Sequence, residues 1–163
     1  MIRYHKYLVL FSIFFIFLFF PPIIPLLSEV LISENQPQFL PIEAKICLQK
    51  YNCVFLEVAN TTKQRTKGLM FRKTLKENHG MIFIFEKPVN IDIWMKNTLF
   101  PLDVIFIRNN RIVNINENLL PCNDKNCPKI NSIFEVNKII ELKAGTVKKL
   151  NIQLNKIVEI EDI

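Results

Sequence analysis

The stretch GMIFIFEKPVNIDIWMKNTLFPLDVIFIRNNRIVNIN, residues 80–116, decides how the rest of the chain is read. At its start Met81, Phe83 and Phe85 alternate with Ile82 and Ile84, so both phases of a period-2 pattern are apolar. A strand of that kind is covered on both faces and lies centrally in its sheet. Beyond it the sequence reads as a strand, a turn at Asn97 and Thr98, and a strand from Leu102 to Arg108. An Asn109-Asn110 reversal and a strand from Arg111 to Ile115 follow. Asn-Asn supplies the positive φ that a two-residue hairpin needs.

Upstream, AKICLQKYNCVFLEVA (44–59) carries two alternating runs, with Ile46 and Leu48 in one and Val54, Leu56 and Val58 in the other. NTTKQRTKGLMFRKTL (60–75) offers Asn60, Thr61 and Thr62 as caps and Gly68 as a stop, which predicts a short helix. Downstream, FEVNKIIEL and KIVEI supply two more strands around Gly145, with a short helix over Thr146–Leu150. Roughly seven strands and one or two helices predict a mostly β domain, a compact β-sandwich or small barrel.

The N-terminus has a different character. Arg3, His5 and Lys6 precede an apolar run from Tyr7 to Phe20 that continues through three prolines to Leu27. A positive flank before such a run is the export pattern, and Leu8 to Leu27 supplies the ~20 residues that cross a ~30 Å hydrocarbon core. An uncleaved anchor is favoured over a cleaved signal peptide, since no convincing cleavage site follows Phe20. The expected organisation is a signal anchor or signal peptide over 1–27, a polar, proline-punctuated linker over 28–42 and a β domain over 43–163. The domain is expected on the non-cytoplasmic side, membrane-anchored, or secreted or periplasmic if the signal is cleaved.

The four cysteines, Cys47, Cys53, Cys122 and Cys127, all follow that segment, where thiols oxidise. A reversal centred on Lys50 places Cys47 opposite Cys53 on one face of a hairpin. Cys122 and Cys127 bracket a short loop between Pro121 and Pro128. Two local disulfides are expected; free buried thiols and metal binding are the competing readings, the latter weakened by the absence of C-x2-C spacing.

GLMFR (68–72), GMIFIF (80–85) and WMKNTLFPLDVIFI (94–107) together resemble the uncharacterised prokaryotic family catalogued as domain of unknown function 192. The similarity runs from about Ala44 to Ile160 and takes in EVANT, the PC and CP of the cysteine loop, and IIELKAG. The resemblance implies a compact, jelly-roll-like β-sandwich and brings no established activity. The chain departs from the family pattern at Ile93, where an aromatic is common, and at Asn109-Asn110, Asn151 and Asn155, where glycines are common. Asparagine tolerates the left-handed region, so these exchanges are compatible with the fold.

Trp94, Lys96, Asn97, Thr98 and Asp103, with Arg65 and Arg72 from the helical region, form the candidate ligand-binding set. Each polar member also has a structural reading: Asn97 and Thr98 as a turn, and Asp103 as acceptor for that turn's amides or partner of Arg65 or Arg72. Trp94, Met70, Met81 and Met95 read first as core, and together with His79 the methionines are weak candidates for a soft-metal site. No nucleophile elbow, HExxH motif, P-loop or paired carboxylates at helical spacing are present, so no catalytic residue is nominated and no cofactor is expected. The formal charge of +6 belongs to the folded part, because Arg3 and Lys6 are cancelled by Glu29 and Glu34. It favours an anionic small molecule, a glycan, a protein segment or a membrane surface as partner. Nucleic acid is disfavoured, since the lysines are scattered and no recognition motif is present. A non-catalytic, membrane-associated binding or interaction module is the leading expectation; an envelope enzyme on a carbohydrate or similar polymer and a copper-handling protein are the alternatives.

Overall fold

The computed structural model describes residues 35–47 and 52–163. The expected signal segment, residues 28–34 of the linker and the tip of the Lys50 reversal lie outside those residues. No helix among the described residues is long and apolar enough to cross a membrane.

Among the described residues, nine strands and two short helices follow one another. They are β1 (Ile42–Cys47), β2 (Cys53–Ala59), α1 (Thr62–Lys67), β3 (His79–Val89), β4 (Asp92–Trp94), β5 (Leu102–Arg108), β6 (Arg111–Leu119), β7 (Lys129–Asn131), β8 (Val136–Lys143), α2 (Thr146–Lys149) and β9 (Ile160–Asp162). Seven strands form one sheet in the order β6-β5-β8-β3-β2-β1-β9, while β4 and β7 pair with each other as a separate arm. The sheet is mixed: β2 and β3 run parallel, joined through α1, and its other pairs are antiparallel. A parallel pair needs a crossover of this length, which the strand–helix–strand order of residues 53–85 provides.

Central placement of GMIFIF is borne out, since β3 lies between β2 and β8. Ile82 joins one buried cluster with Leu56, Ile105, Ile140 and the covering residues Val147 and Val158. Met81 and Phe83 join a second cluster on the opposite face with Leu69, Met95, Phe106 and Ile139. Gly80 has no room for a side chain: a Cβ there would meet the Glu141 carbonyl oxygen at 2.7 Å and the Leu142 side chain at 2.5 Å.

The sheet does not close into a barrel. Its two edges are bridged by the C-terminal segment, where Ile112 N donates to Lys156 O at 2.9 Å and Val158 N donates to Asn110 O at 2.8 Å, before β9 pairs with β1. A single isolated bridge, Arg111 to Ile157, stands where a ladder would have to run. The KIVEI strand is accordingly shorter and later than expected, and is confined to Ile160–Asp162.

Local expectations from turn chemistry hold. Asn109 and Asn110 have φ of 47° and 64°, and Asn151 and Asn155 have 51° and 65°, so each asparagine standing in for a glycine occupies the left-handed region. Thr61 caps α1 in a capping box with Gln64, and Gly68 ends it at φ 48°. Cys47 pairs directly with Cys53 across the hairpin, and both disulfides, Cys47–Cys53 and Cys122–Cys127, are formed. The compact unit spans Pro37–Ile163. Gln38 at its start donates to the backbone carbonyls of Gln64 and Gly68, so the last residues of the proline-punctuated stretch are bound to the domain body.

Candidate functional site

Three charged side chains are buried on the sheet face that carries Met81 and Ile139. Glu57 on β2 stands beside Met81 on β3, and Met81 stands beside Glu141 on β8, so two carboxylates flank one methionine across three adjacent strands. Arg72, from the segment after α1, covers Glu57 with a fork: Nη1 to Oε1 at 2.7 Å and Nη2 to Oε2 at 2.6 Å. Both side chains of that pair are nearly removed from solvent, at 3% and 11% exposure. Leu40 N also donates to Glu57 Oε2 at 2.6 Å, and the Phe39 ring lies 4.6 Å under the Arg72 guanidinium.

Glu141 has no such partner. It is 9% exposed, and no described residue gives its carboxylate a hydrogen bond or an ion pair. Burial pushes its pKa up to about 7, and the Arg72 cation offsets only part of that effect. Glu141 opens instead into a cavity of about 380 Å³. The buried members of the lining, among them Leu69, Phe83, Thr98 and Ile139, form the floor with Glu141; Thr62, Thr66, Asp92 and Trp94, all exposed, form the rim. The α1 side contributes Arg65 and Lys67, and the β4 arm contributes Trp94.

The expected site residues divide on this geometry. Arg65, Trp94 and Thr98 line the cavity, as does Met70. Lys96, Asn97, Arg72 and Asp103 do not. Arg65 is already held by the carbonyls of Asn60 and Ile84 and lies over the Phe85 ring. Lys96 sits over Trp94, 5.0 Å from the ring centroid. Asn97 has φ 56° and is stitched on both sides: its carbonyl accepts from Phe71 N at 2.8 Å and its amide donates to Cys122 O at 3.0 Å. The turn reading of Asn97 is therefore the one the structure has. It also joins the GLMFR and WMKNT stretches and the cysteine loop by backbone hydrogen bonds.

Asp103 is structural, with partners other than those expected. It lies on the opposite face of the sheet from the cavity, fully buried, where Oδ1 accepts from Asn118 N and Oδ2 from Val147 N, each at 2.9 Å. It thus ties the end of β6 to the first turn of α2, rather than binding the Asn97–Thr98 turn or an arginine. Asp103→Asn replaces one acceptor oxygen by a donor facing an N–H, and should cost about 1–3 kcal/mol. Thermal unfolding of the full-length protein checks this; an unchanged midpoint would show that the two amides find other acceptors.

Trp94 was expected in the core and is instead 41% exposed, because the β4–β7 arm is two strands wide and leaves one side of the indole uncovered. Met81 and Met95 are buried at 0% and 4% among apolar neighbours. His79 lies beside the Phe55 ring with Nδ1 2.8 Å from Glu77 O. Among the described residues no group of three or more His, Cys, Asp or Glu is placed to hold a metal ion.

Glu57 and Glu141 were absent from the sequence-based candidates. The available signal was a carboxylate flanked on both sides by apolar residues, Glu141 between Ile140 and Leu142 and Glu57 between Leu56 and Val58.

The family model for domain of unknown function 192, described as "Uncharacterized ACR", matches residues 45–160. The chain belongs to this family. As a member of the domain of unknown function 192 family, it is also similar to two solved structures. One, from Sinorhizobium meliloti 1021 and described as a candidate transcription regulator, is 32% identical with a TM-score of 0.62; the match covers 74% of this chain and 92% of that one. The other, a protein of unknown function from Novosphingobium aromaticivorans DSM 12444, is 28% identical with a TM-score of 0.63, covering 76% and 92%. No curated protein matches the chain.

Proposed function

We propose that the chain is an exported, membrane-associated binding module and that the cavity beside α1 takes a small ligand. The observation carrying this reading is Glu141: a carboxylate without a partner, raised to about 7 by burial, on the floor of a cavity with an exposed aromatic at its rim. An uncompensated buried carboxylate works against folding, and such groups concentrate where a protein binds or reacts. The extracytoplasmic part of the proposal rests on the basic flank and apolar run of residues 3–27, and two disulfides suit an oxidising compartment.

The anionic ligand expected from the arginines loses its support, because Arg72 is spent on Glu57 and Arg65 on backbone carbonyls. A second reading keeps the same site: a carboxyl group near neutrality is suited to general acid–base work. It lacks a companion, since Asp92, the other carboxylate in the lining, already accepts from Asn131 and faces Lys129.

The test uses Trp94, which is the only tryptophan in the chain and lies at the rim. Fragments screened against the full-length protein in lipid nanodiscs should include some that shift its emission and raise the melting temperature together. A panel that does neither would sink the pocket reading. A C-terminal reporter active only in the cytoplasm would sink the location.

A further inference from the structure

The chemistry of the cavity narrows its occupant, on the reading that it is a binding site. We infer that it takes a small organic cation, a protonated amine on an aromatic or branched apolar body, with the nitrogen at Glu141 and the body against Phe83, Phe85 and Trp94.

The argument begins with charge. Glu57, Arg72 and Glu141 share one buried sheet face, and the Arg72 fork is committed to Glu57 at 2.6 and 2.7 Å. Glu141 is left as the carboxylate without a counter-ion. A ligand ammonium supplies both the missing charge and hydrogen-bond donors at a largely buried carboxylate, where a charge-assisted bond is stronger than a neutral one. Phe83, Phe85 and Trp94 line the same space; Phe85 and Trp94 already carry Arg65 and Lys96 over one face, so they pack against the apolar body of the ligand, and Phe83 is the ring without a protein cation over it.

The cations at the cavity do not reverse this preference. Arg65 donates to two backbone carbonyls and lies over Phe85, and Lys67 lies over Phe71 at 4.7 Å. An anion entering between them would meet Glu141 on the floor and Asp92 at the rim, and would bring a second unpaired negative charge to an apolar wall. A neutral alcohol could give Glu141 one hydrogen bond but would leave its charge uncompensated. Size sets the remaining limit: about 380 Å³ accommodates one ring and a short chain.

The experiment compares three probes of nearly equal shape, phenethylamine, 2-phenylethanol and phenylacetate, by Trp94 emission at pH 8 on the full-length protein in nanodiscs. The amine should bind at least about tenfold more tightly than the alcohol, as a buried charge pair requires, with phenylacetate weakest. In Glu141→Gln the amine's advantage should vanish while the alcohol binds as before. Equal or better binding of the alcohol or the acid overturns the organic-cation inference and leaves the pocket in place. Failure of all three while other fragments bind overturns it too. Only silence from both the probes and the fragment panel removes the pocket itself.

Discussion

Replacing Arg72 with methionine should destabilise the protein by about 3–5 kcal/mol at pH 7, a large part of the ~5–15 kcal/mol that holds a domain of this size. The side chain is 3% exposed and forks onto Glu57, so its loss strands a carboxylate on a side chain only 11% exposed, one strand away from Met81 and two from Glu141. Two uncompensated carboxylates would then share one apolar face. Methionine fills most of the vacated space, which keeps the lost volume from dominating the result. Arg72→Lys should not rescue, because a single ammonium cannot reproduce the two-pronged contact. The double variant Glu57→Gln with Arg72→Met should be more stable than Arg72→Met alone, since it removes the stranded charge. Chemical denaturation of the parent, Glu57→Gln, Arg72→Met and the double variant gives the coupling energy directly. A loss under about 1 kcal/mol for Arg72→Met, or no recovery in the double variant, would mean that water reaches Glu57 and that the pair is peripheral to the fold.

That ion pair shows where a single sequence stops being readable. The strands of GMIFIF and PLDVIFI announce themselves because burial on both faces leaves an apolar residue at almost every position. The asparagine turns and the Cys47–Cys53 pairing are equally legible, since each depends on residues a few positions apart. Arg72 and Glu57 are separated by 15 residues and a helix, and their meeting depends on β2 and β3 running parallel. The strand–helix–strand order was on view, yet an antiparallel sandwich accounts for the same list of strands. The β4–β7 arm was hidden for a different reason. Each of its strands is three residues long, too short for alternation to register, and its partners are far apart in the chain. Trp94 was therefore assigned to the core and proves to stand at the cavity rim. Asp103 stood in the candidate ligand set with a scaffold reading beside it, and the scaffold reading, a carboxylate just after a proline-fixed turn satisfying backbone amides, is the one the structure has. Its partners could not be named, since Asn118 and Val147 reach it only through the sheet and the packing of α2.

Glu141 should make the stability of this protein fall as pH rises from about 4.5 to above 7, and Glu141→Gln should flatten that part of the profile. Burial raises its folded-state pKa to about 7 from the ordinary 4.5. The folded protein therefore holds a proton that the unfolded chain gives up at lower pH. Below pH 4.5 the group is neutral in both states and costs nothing. As pH rises toward 7 the unfolded chain ionises first, so the stability the neutral group contributed is lost progressively, and above 7 the full penalty of a buried charge remains. At about 1.36 kcal/mol for each tenfold change in proton affinity, the loss across that window is about 3 kcal/mol. At pH 8 Glu141→Gln should then be more stable than the parent by a comparable amount, while at pH 4.5 the two should nearly coincide. Denaturation midpoints measured from pH 4.5 to 8.5 test this, and parallel profiles would mean that the carboxylate is solvated well enough to titrate as in water. A residue whose removal strengthens the fold is held at that position by something other than the fold. Glu141 opens into the cavity and the nearby Arg72 is engaged by Glu57, so on the proposed reading a bound cation is the group that offsets its burial when it ionises.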